Sequence, residues 1–315
     1  MRSVASRGCS TWRRGAFAGR VEANRRLCDE HYLLTLRLEA FAPSKAGQFI
    51  QLQCRCPAAH VGAKTVDWPE GGIAKFTQPE LIETEALLRR PFSLAGRRDT
   101  DEGVQLDLIY RTVGPGTGWL AGVKADEELS ILGPLGNAFP ISHEKPRAVL
   151  VGGGVGIPPM LYLAEALGAA GKETVAFCGS RSVSLLPLTV AGDNGDIAEF
   201  AAFGAAVGIA TDDGSLGRKG FVTELLAEWM SWQCDAPTGL VVYACGPEPM
   251  MKEAAQMCIS RGVECYLCLE RYMACGMGTC QSCVVKIRDD SNGGWSYKLC
   301  CTDGPVFDAR EVLWD

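Results

Sequence analysis

Apolar and polar positions alternate in short segments through the first part of the chain. Residues 32–38 and 104–110 place apolar side chains at every second position, which is the pattern of half-buried β-strands. Glycine and proline separate such segments between about Val21 and Pro140, so we predict a small antiparallel β-barrel. Residues 54–88 break this pattern and are predicted to be a long insertion in the barrel.

From Pro146 onward the pattern changes to strands that alternate with helices. The segment RAVLVGGGVGIPPMLYLAEAL predicts a buried strand, a glycine loop and an amphipathic helix, and GLVVYACGPEPMMKEAAQM repeats that order. The segment ETVAFCGSR predicts a further strand, and such alternation is typical of a parallel sheet with helical crossovers. From about Val263 the chain is rich in cysteine and ends in a predicted hairpin whose turn is DSNGG.

These patterns predict a β plus α/β protein with an antiparallel barrel, a Rossmann-like parallel sheet and a small C-terminal domain. At 315 residues the chain is long enough for two domains and a small third. The predicted boundaries are 1–19 for an N-terminal extension without fixed structure, 20–145 for the barrel, 146–262 for the parallel-sheet domain and 263–315 for the C-terminal domain.

Composition argues against several classes of function. The net charge is −6 and no basic block lies outside the N-terminus, so a nucleic-acid partner is not expected. The most apolar stretch, residues 148–170, is broken by Gly152–Gly154 and Pro158-Pro159, so no membrane span is expected. Fifteen cysteines without a secretory signal favour a reducing compartment, and we expect the cytoplasm.

Two loops at predicted strand ends are candidate nucleotide sites. Gly153, Gly154 and Gly156 lie where a strand feeds a helix, so backbone N–H groups and the helix N-terminus can hold a pyrophosphate. A tight structural turn remains an alternative, because the spacing is not the full G-x-G-x-x-G. The second loop, Cys245-Gly246-Pro247, follows another strand at the edge where α/β sheets bind ligands.

The barrel carries two candidate phosphate-binding segments. The first, Arg90-Pro91-Phe92-Ser93, combines an arginine, a fixed proline, an aromatic ring and a hydroxyl. In the second, Arg111 precedes a Gly116-Thr117 turn with free N–H groups and a hydroxyl. Each segment alone is also explained by an edge-strand arginine or a β-turn, but their pairing ahead of a nucleotide fold favours a binding role.

The cysteine spacing near the C-terminus predicts an iron-sulfur cluster. Cys275-x4-Cys280-x2-Cys283 matches the plant-type [2Fe-2S] spacing, which needs a fourth thiolate from farther along the chain. The predicted hairpin returns Cys300 and Cys301, and only one of two neighbouring strand residues can readily face the loop. Zinc is the main alternative, although structural zinc usually draws on two separated cysteine pairs.

The order of these motifs resembles the ferredoxin-reductase superfamily, in which a barrel holds a flavin and the next domain binds a nicotinamide nucleotide. The resemblance rests on GQFIQL, RRPFSL, IYR with GTG, VGGGVGIPPM and YACGPEPMM. From about Arg20 to Asp315 the chain is most similar to the iron-sulfur electron transfer subunits of type B dihydroorotate dehydrogenase. That similarity adds the segments TDDGSLGRKGFVTELL, LERYMACGMGTCQSCVV and CTDGPVF.

The resemblance implies FAD, a [2Fe-2S] cluster and NAD as the substrate. It places Arg90 on the FAD pyrophosphate and Ser93 near the flavin ring, and its last cluster ligand directly precedes x-D-G-P-V-F, which selects Cys301. The full implied set is Arg90, Pro91, Phe92, Ser93, Ile109, Tyr110, Arg111, Gly116 and Thr117 for FAD, Gly153, Gly154, Gly156, Cys245, Gly246 and Pro247 for the nucleotide, and Cys275, Cys280, Cys283 and Cys301 for the cluster.

We therefore expect an oxidoreductase subunit that relays electrons from the cluster through FAD to NAD+, because a flavin can exchange electrons singly or as a pair. The chain offers no apparent site for an organic substrate, and its histidines, His31, His60 and His143, lie outside the motifs. The resemblance implies a partner: an FMN-containing catalytic subunit that oxidises dihydroorotate in pyrimidine biosynthesis. It implies a heterotetramer with two copies of each subunit.

Several alternatives stay open. The small subunit of an NAD(P)H-ferredoxin or sulfide oxidoreductase shares this architecture, but an aspartate typically stands there in place of Cys275. Oxygenase reductases join the same three domains with a longer interval before the fourth cysteine. A non-catalytic zinc-binding interaction module is the candidate from another class. NADP also remains possible as the nucleotide, since Arg181 could receive a 2′-phosphate.

Overall fold

The structure is a computed structural model, and it describes residues 14–55, 66–67, 75–76, 88–191, 196–232 and 239–314. Two seven-stranded sheets organise these residues. The first is antiparallel and forms the N-terminal domain, and the second is built mainly from parallel strands. The predicted β plus α/β fold class is confirmed.

The N-terminal domain is a barrel made from strands with alternating burial. β8 shows the predicted pattern, because Val104, Leu106, Leu108 and Tyr110 are buried and their neighbours are not. The strand order in the main sheet is β6-β3-β9-β1-β2-β8-β7, and β4 and β5 form a separate pair. The elements are β1 (Gly15–Cys28), β2 (His31–Leu38), β3 (Phe49–Leu52), β4 (Val66–Asp67), β5 (Lys75–Phe76), β6 (Arg90–Ser93), β7 (Gly96–Thr100), β8 (Gly103–Arg111), α1 (Pro115–Ala121) and β9 (Glu128–Leu135).

Strand β1 begins before the predicted start of the barrel. Residues 15–19 pair with β9, and the Phe17 ring packs edge-on against Phe41 at 5.0 Å between centroids. The prediction of an extension without fixed structure is therefore wrong for residues 15–19, because a ladder with a distant strand holds a segment of mostly small residues. Residues 1–13 and most of the predicted insertion lie outside the described residues.

The second domain alternates strands and helices as predicted. β10 and β16 are buried along almost their whole length, as expected for central strands of a parallel sheet covered on both faces. The elements are β10 (Arg147–Gly153), α2 (Ile157–Ala169), β11 (Glu173–Ser180), β12 (Val190–Ala191), β13 (Asp196–Ile197), α3 (Ala198–Ala201), β14 (Ala206–Thr211), β15 (Arg218–Lys219), α4 (Val222–Trp232), β16 (Leu240–Cys245), α5 (Glu248–Ser260) and β17 (Glu264–Cys268).

The C-terminal domain contains the predicted hairpin, β18 (Val284–Asp289) with β19 (Gly294–Leu299), and a last strand, β20 (Val306–Asp308). β17 and β20 both belong to the second sheet, whose order is β15-β14-β11-β10-β16-β17-β20. The second sheet therefore includes strands on both sides of the predicted boundary after residue 262. The reason is that ECYLC is a buried sheet strand, with Cys265 and Cys268 inside the core.

Two apolar cores hold the domains together. One fills the barrel and continues along α2 and one face of the second sheet. The other joins Phe49 of the barrel with α4, α5 and the buried cysteines Cys283, Cys300 and Cys301. The C-terminal domain is thus packed against both preceding domains. None of the helices in the described ranges is long and apolar enough to cross a membrane.

Candidate functional site

The residues implied to bind flavin lie on strands that the barrel brings together. β6 carries Arg90–Ser93 and pairs with β3, at one end of the strand order. Near the other end, the Tyr110 ring on β8 meets Phe92 edge-on at 6.0 Å between centroids and stacks on Tyr32 at 5.6 Å. The RPFS and IYR segments are therefore neighbours in space.

The two consecutive arginines before this motif have different surroundings. The Arg89 guanidinium donates to the backbone oxygen of Ser130 at 2.7 Å and to its hydroxyl at 2.8 Å, so it ties two strands of the barrel together. The Arg90 guanidinium donates to the backbone oxygen of Leu88 at 2.9 Å and stays partly exposed. Of the pair, Arg90 is the one that can turn to an anionic ligand.

The turn after β8 is held by its own threonine. The hydroxyl oxygen of Thr117 accepts the backbone N–H of Val113 at 2.9 Å and of Gly114 at 3.2 Å. Arg111 instead forms an ion pair with Glu30, with an N–O distance of 2.6 Å. The hydrogen bond from Arg111 and then its charge lower the pKa of Glu30.

A cavity of about 610 Å³ opens between the barrel and the second sheet. His31 and Arg111 of the barrel form one side of it. The opposite side comes from the carboxyl ends of the parallel strands β10, β11, β14 and β16, which is where sheets of this kind bind ligands. Arg181 and Asp212 lie at two of these strand ends.

Three glycines shape this cavity in different ways. Gly154 has φ +55°, a left-handed conformation that favours glycine, and a Cβ there would meet no atom within 4 Å. A Cβ on Gly153 would lie 2.7 Å from the sulfur of Met250. Gly156 is not part of the cavity wall. It lies against the neighbouring loop, where a Cβ would be 2.1 Å from the carbonyl oxygen of Cys245. Gly156 allows the two strand-end loops to approach each other closely.

The Cys245-Gly246-Pro247 loop contributes only Pro247 to the cavity wall. Gly246 has φ +151° and packs against the backbone of Gly153. The Cys245 thiol is buried, and its hydrogen bond with Cys268, followed by burial, raises its pKa well above the usual range. Three residues that the resemblance implied as nucleotide contacts, Gly156, Cys245 and Gly246, therefore lie behind the cavity rather than in its wall.

Several polar groups in this cavity were not predicted from the sequence. His31 is 2% exposed, its Nδ1 donates to the Asp29 carbonyl at 2.9 Å, and its Nε2 has no partner among the described residues. Burial lowers the pKa of His31, so the ring is neutral near pH 7. The Thr223 hydroxyl donates to Glu253 at 2.7 Å. A single residue at a strand start or helix start gives no signal of this kind in the sequence.

Glu270 is the missed residue for which the sequence did contain a signal. It lies in the LERYMACG segment that carries the family resemblance, and its side chain borders the nucleotide cavity. It is open to the cavity, but the surrounding walls raise the pKa of its carboxyl by desolvation. Its position at the end of β17 makes it a link between the cavity and the cysteine loop that follows.

The cysteine loop directs backbone N–H groups at sulfur. The N–H groups of Met277 and Cys280 both donate to the Cys275 sulfur at 3.4 Å. Gly276 and Gly278 have φ of +71° and +89°, which lets the loop turn tightly. N–H groups that face thiolates are the surroundings that an iron-sulfur cluster requires.

The neighbouring thiols of Cys300 and Cys301 point to different surroundings. The Cys300 thiol is fully buried and donates to the backbone oxygen of Leu269 at 3.2 Å. The N–H of Cys301 donates to the Cys283 sulfur at 3.4 Å. The backbone of Cys300 also contacts Cys283, but the Cys301 thiol hydrogen-bonds with the Cys283 thiol, while the Cys300 thiol faces the core.

The thiols of the loop differ in acidity. The hydrogen bond with Ser282, followed by backbone hydrogen bonds, lowers the pKa of Cys280 to about 6. Burial, followed by the neighbouring Cys283, raises the pKa of Cys301 to about 12. In the described ranges, no group of three or more Cys, His, Asp or Glu side chains is arranged to hold a metal ion. The fit to a cluster therefore rests on the four thiols and the N–H groups around them, and bound iron would draw the proton from Cys301.

Comparison with known proteins identifies the family. Residues 270–313 match the model of the iron-sulfur cluster binding domain of dihydroorotate dehydrogenase B. A protein of Caldanaerobacter subterraneus, named dihydroorotate dehydrogenase B (NAD(+)), electron transfer subunit, is 35% identical over 295 residues, which are 94% of this chain and 97% of the relative. A Geobacillus kaustophilus protein of the same name is 41% identical over 231 residues, 73% of this chain and 81% of the relative.

Among solved structures, an NADH-dependent reduced ferredoxin-NADP oxidoreductase has a TM-score of 0.68, with 24% identity over 94% of this chain and 90% of that one. This similarity shows a shared fold, to which the C-terminal residues add a match to an iron-sulfur cluster binding domain. The chain belongs to the family of dihydroorotate dehydrogenase B electron transfer subunits. The family expected from the sequence is confirmed.

Proposed function

We propose that this chain carries electrons from a dihydroorotate-oxidising subunit to NAD+ through its own iron-sulfur cluster and FAD. The proposal rests on the positions of two residues that follow β17 in the chain. Glu270 borders the nucleotide cavity, and Cys275, the first cysteine of the loop, follows five positions later. One short segment thus joins the candidate nucleotide site to the candidate cluster site.

The flavin would be held where β6 and β8 meet. Arg90 would bind its pyrophosphate, and the Phe92–Tyr110 contact would support the wall behind it. Thr117 fixes the turn that follows β8. The proposed flavin contacts are Arg90, Pro91, Phe92, Ser93, Ile109, Tyr110, Arg111, Gly116 and Thr117.

The nicotinamide nucleotide would occupy the cavity at the strand ends. Gly153, Gly154 and Pro247 border it directly, and we add His31 and Glu270 as contacts. Gly156, Cys245 and Gly246 would support the two loops from behind. NAD is the nucleotide named for the relatives, and it is the one proposed here.

The cluster would be held by Cys275, Cys280, Cys283 and Cys301. When bound, the cluster would pass electrons one at a time, and FAD would combine two of them with a proton into the hydride that NAD+ accepts. Backbone N–H groups would help to hold the cluster, since that of Met277 donates to the Cys275 sulfur and that of Cys301 donates to the Cys283 sulfur. The partner is an FMN-containing catalytic subunit in a heterotetramer of two copies each, acting in pyrimidine biosynthesis in the cytoplasm.

Replacing Cys280 with serine tests this function. The chain would be expressed with an FMN-dependent dihydroorotate oxidase, and iron, flavin and NADH-dependent dye reduction would be measured. We expect the Cys280→Ser variant to lose dihydroorotate-dependent NAD+ reduction but to keep flavin reduction by NADH. A wild-type protein without flavin or iron, or one that never associates with the catalytic subunit, would refute the proposal. Stoichiometric zinc in a colourless protein would instead support the interaction module.

A further inference from the structure

Gln51 is a buried polar residue that none of the site motifs uses. It lies on β3 between Ile50 and Leu52, whose side chains fill the barrel core. Because successive strand residues point to opposite faces, Gln51 shares the other face with Phe49. Phe49 belongs to the core that contains Cys283 and Cys301, so Gln51 faces the C-terminal domain.

The amide of Gln51 lacks hydrogen-bond partners in a place where water does not reach. The residue is 0% exposed, and neither its Nε2 nor its Oε1 has a partner among the described residues. A buried amide without a partner is destabilising, and most native structures avoid it. Such a group points to a ligand or prosthetic group that the polypeptide alone does not supply.

The neighbour of this amide is the cysteine loop. A Cβ on Gly276 would lie 2.7 Å from both Cγ and Nε2 of Gln51 and 3.0 Å from its Cδ. Gly276 directly follows Cys275, and the next N–H, that of Met277, already donates to the Cys275 sulfur. The Gln51 side chain therefore occupies the space that any larger residue at position 276 would need.

The opposite neighbour of Gln51 is the candidate flavin strand. Gln51 pairs with Pro91, the second residue of the RPFS segment on β6. Gln51 thus lies on the strand next to the one proposed to hold the flavin, and its side chain meets the loop proposed to hold the cluster.

We propose that the Gln51 amide donates a hydrogen bond to a sulfur of the cluster held by the Cys275 loop, and that it thereby sets the cluster potential and positions the loop. This inference rests on the proposed function, because it requires a cluster in that loop. A hydrogen bond to cluster sulfur favours the reduced, more negative state and raises the reduction potential. Gln51 is a positioning residue and takes no direct part in hydride transfer.

The test uses the full heteromeric protein with Gln51→Leu and Gln51→Glu, two variants of nearly the same size. The matched control is Gln53→Leu, a partly exposed glutamine two positions farther along the chain. Redox titration followed by EPR gives the cluster potential, and flavin potential is measured in parallel. Pulsed EPR on protein with ¹⁵N-labelled glutamine side chains detects coupling of the cluster to the amide nitrogen.

We expect a lower cluster potential in Gln51→Leu, a larger decrease in Gln51→Glu, and no change in the control. The ¹⁵N coupling should be present in the wild type and absent from both variants. An unchanged cluster potential in Gln51→Leu, or a change confined to the flavin, overturns the inference. A wild-type protein that holds no cluster refutes the proposed function instead, so the two failures are distinguishable.

A paired replacement covers the case in which the loop fails to form. Gly276→Ala should lose iron, because its Cβ overlaps Gln51. Adding Gln51→Ala removes the overlapping atoms and should restore part of the iron, although the lost amide still lowers the cluster potential.

Discussion

The cysteine loop and the nucleotide cavity reach their chemistry by different routes. The loop concentrates three of its proposed ligands within nine positions, and its N–H groups face the Cys275 sulfur. The cavity is assembled from the ends of four parallel strands and from the barrel, and glycines at 153 and 154 shape it. The loop depends on particular donor atoms, whereas the cavity depends on the shape of the backbone around it.

This difference explains why cysteines have opposite surroundings in the two regions. Cys280 is exposed, and its hydrogen bonds lower its thiol pKa to about 6. Cys245, behind the cavity, is buried, and its thiol pKa is raised. Thiolate is the form that binds metals, so Cys280 has a thiol that suits a ligand, whereas the Cys245 thiol is paired with Cys268 inside the core. The same residue type thus has two roles that only the surroundings separate.

The largest effect is expected at Cys300 and Cys301, two adjacent cysteines to which we assign core packing and cluster binding. Cys301→Ala should abolish the [2Fe-2S] absorbance and EPR signal, because it removes a proposed ligand. Cys300→Ala should keep both signals and lower the free energy of unfolding by about 1 kcal/mol, since it only removes a buried thiol from the core. Iron content and chemical denaturation measure the two effects. Loss of the cluster from Cys300→Ala alone would reverse the assignment.

A smaller effect is expected from enlarging two glycines near the cavity. Gly156→Ala places a Cβ 2.1 Å from a carbonyl oxygen and should lower the free energy of unfolding by about 3 kcal/mol. Gly154→Ala meets no atom, but its positive φ should still cost about 1 kcal/mol. Both variants should retain iron when folded. Equal stability of the two would contradict the close approach inferred for Gly156.

The smallest effect is expected at Glu270, where the two regions meet. Desolvation raises the pKa of the Glu270 carboxyl. The carboxyl therefore gains its negative charge at a higher pH than an ordinary glutamate does. NADH is an anion, so its binding should weaken as pH rises through the pKa of Glu270, by less than about tenfold. Glu270→Gln should remove this part of the pH dependence without loss of iron. Measuring KM for NADH as a function of pH, in the wild type and in Glu270→Gln, from the usual range of a glutamate upward provides the check.

The raised pKa of Glu270 also affects the pH dependence of stability. A carboxyl with a raised folded pKa contributes stability below its unfolded pKa and loses that contribution as pH rises through the folded value. The free energy of unfolding should therefore fall more steeply with rising pH in the wild type than in Glu270→Gln. A variant with the wild-type pH profile would show that Glu270 is not desolvated in the folded protein.

Much of the architecture was predictable because it follows from local patterns. Alternating burial in β8 and the long apolar runs of β10 and β16 identify the two sheets from the sequence. The start of β1 and the sheet role of β17 were not predictable, because both depend on pairing with strands far away in sequence. Residues 15–19 gain their structure from β9 rather than from their own pattern.

The sequence by itself determined the cysteine spacing of the loop, since three of the four proposed cluster ligands lie within nine positions. It also determined the glycine loops, because a strand that enters a helix through glycine is a local feature. The tertiary structure decided which of the thiols of Cys300 and Cys301 faces the loop, and it brought His31 and Gln51 to positions that no spacing reveals. The physical reason is that a cavity wall and a buried amide are defined by packing between distant segments, which exists only once the chain has folded.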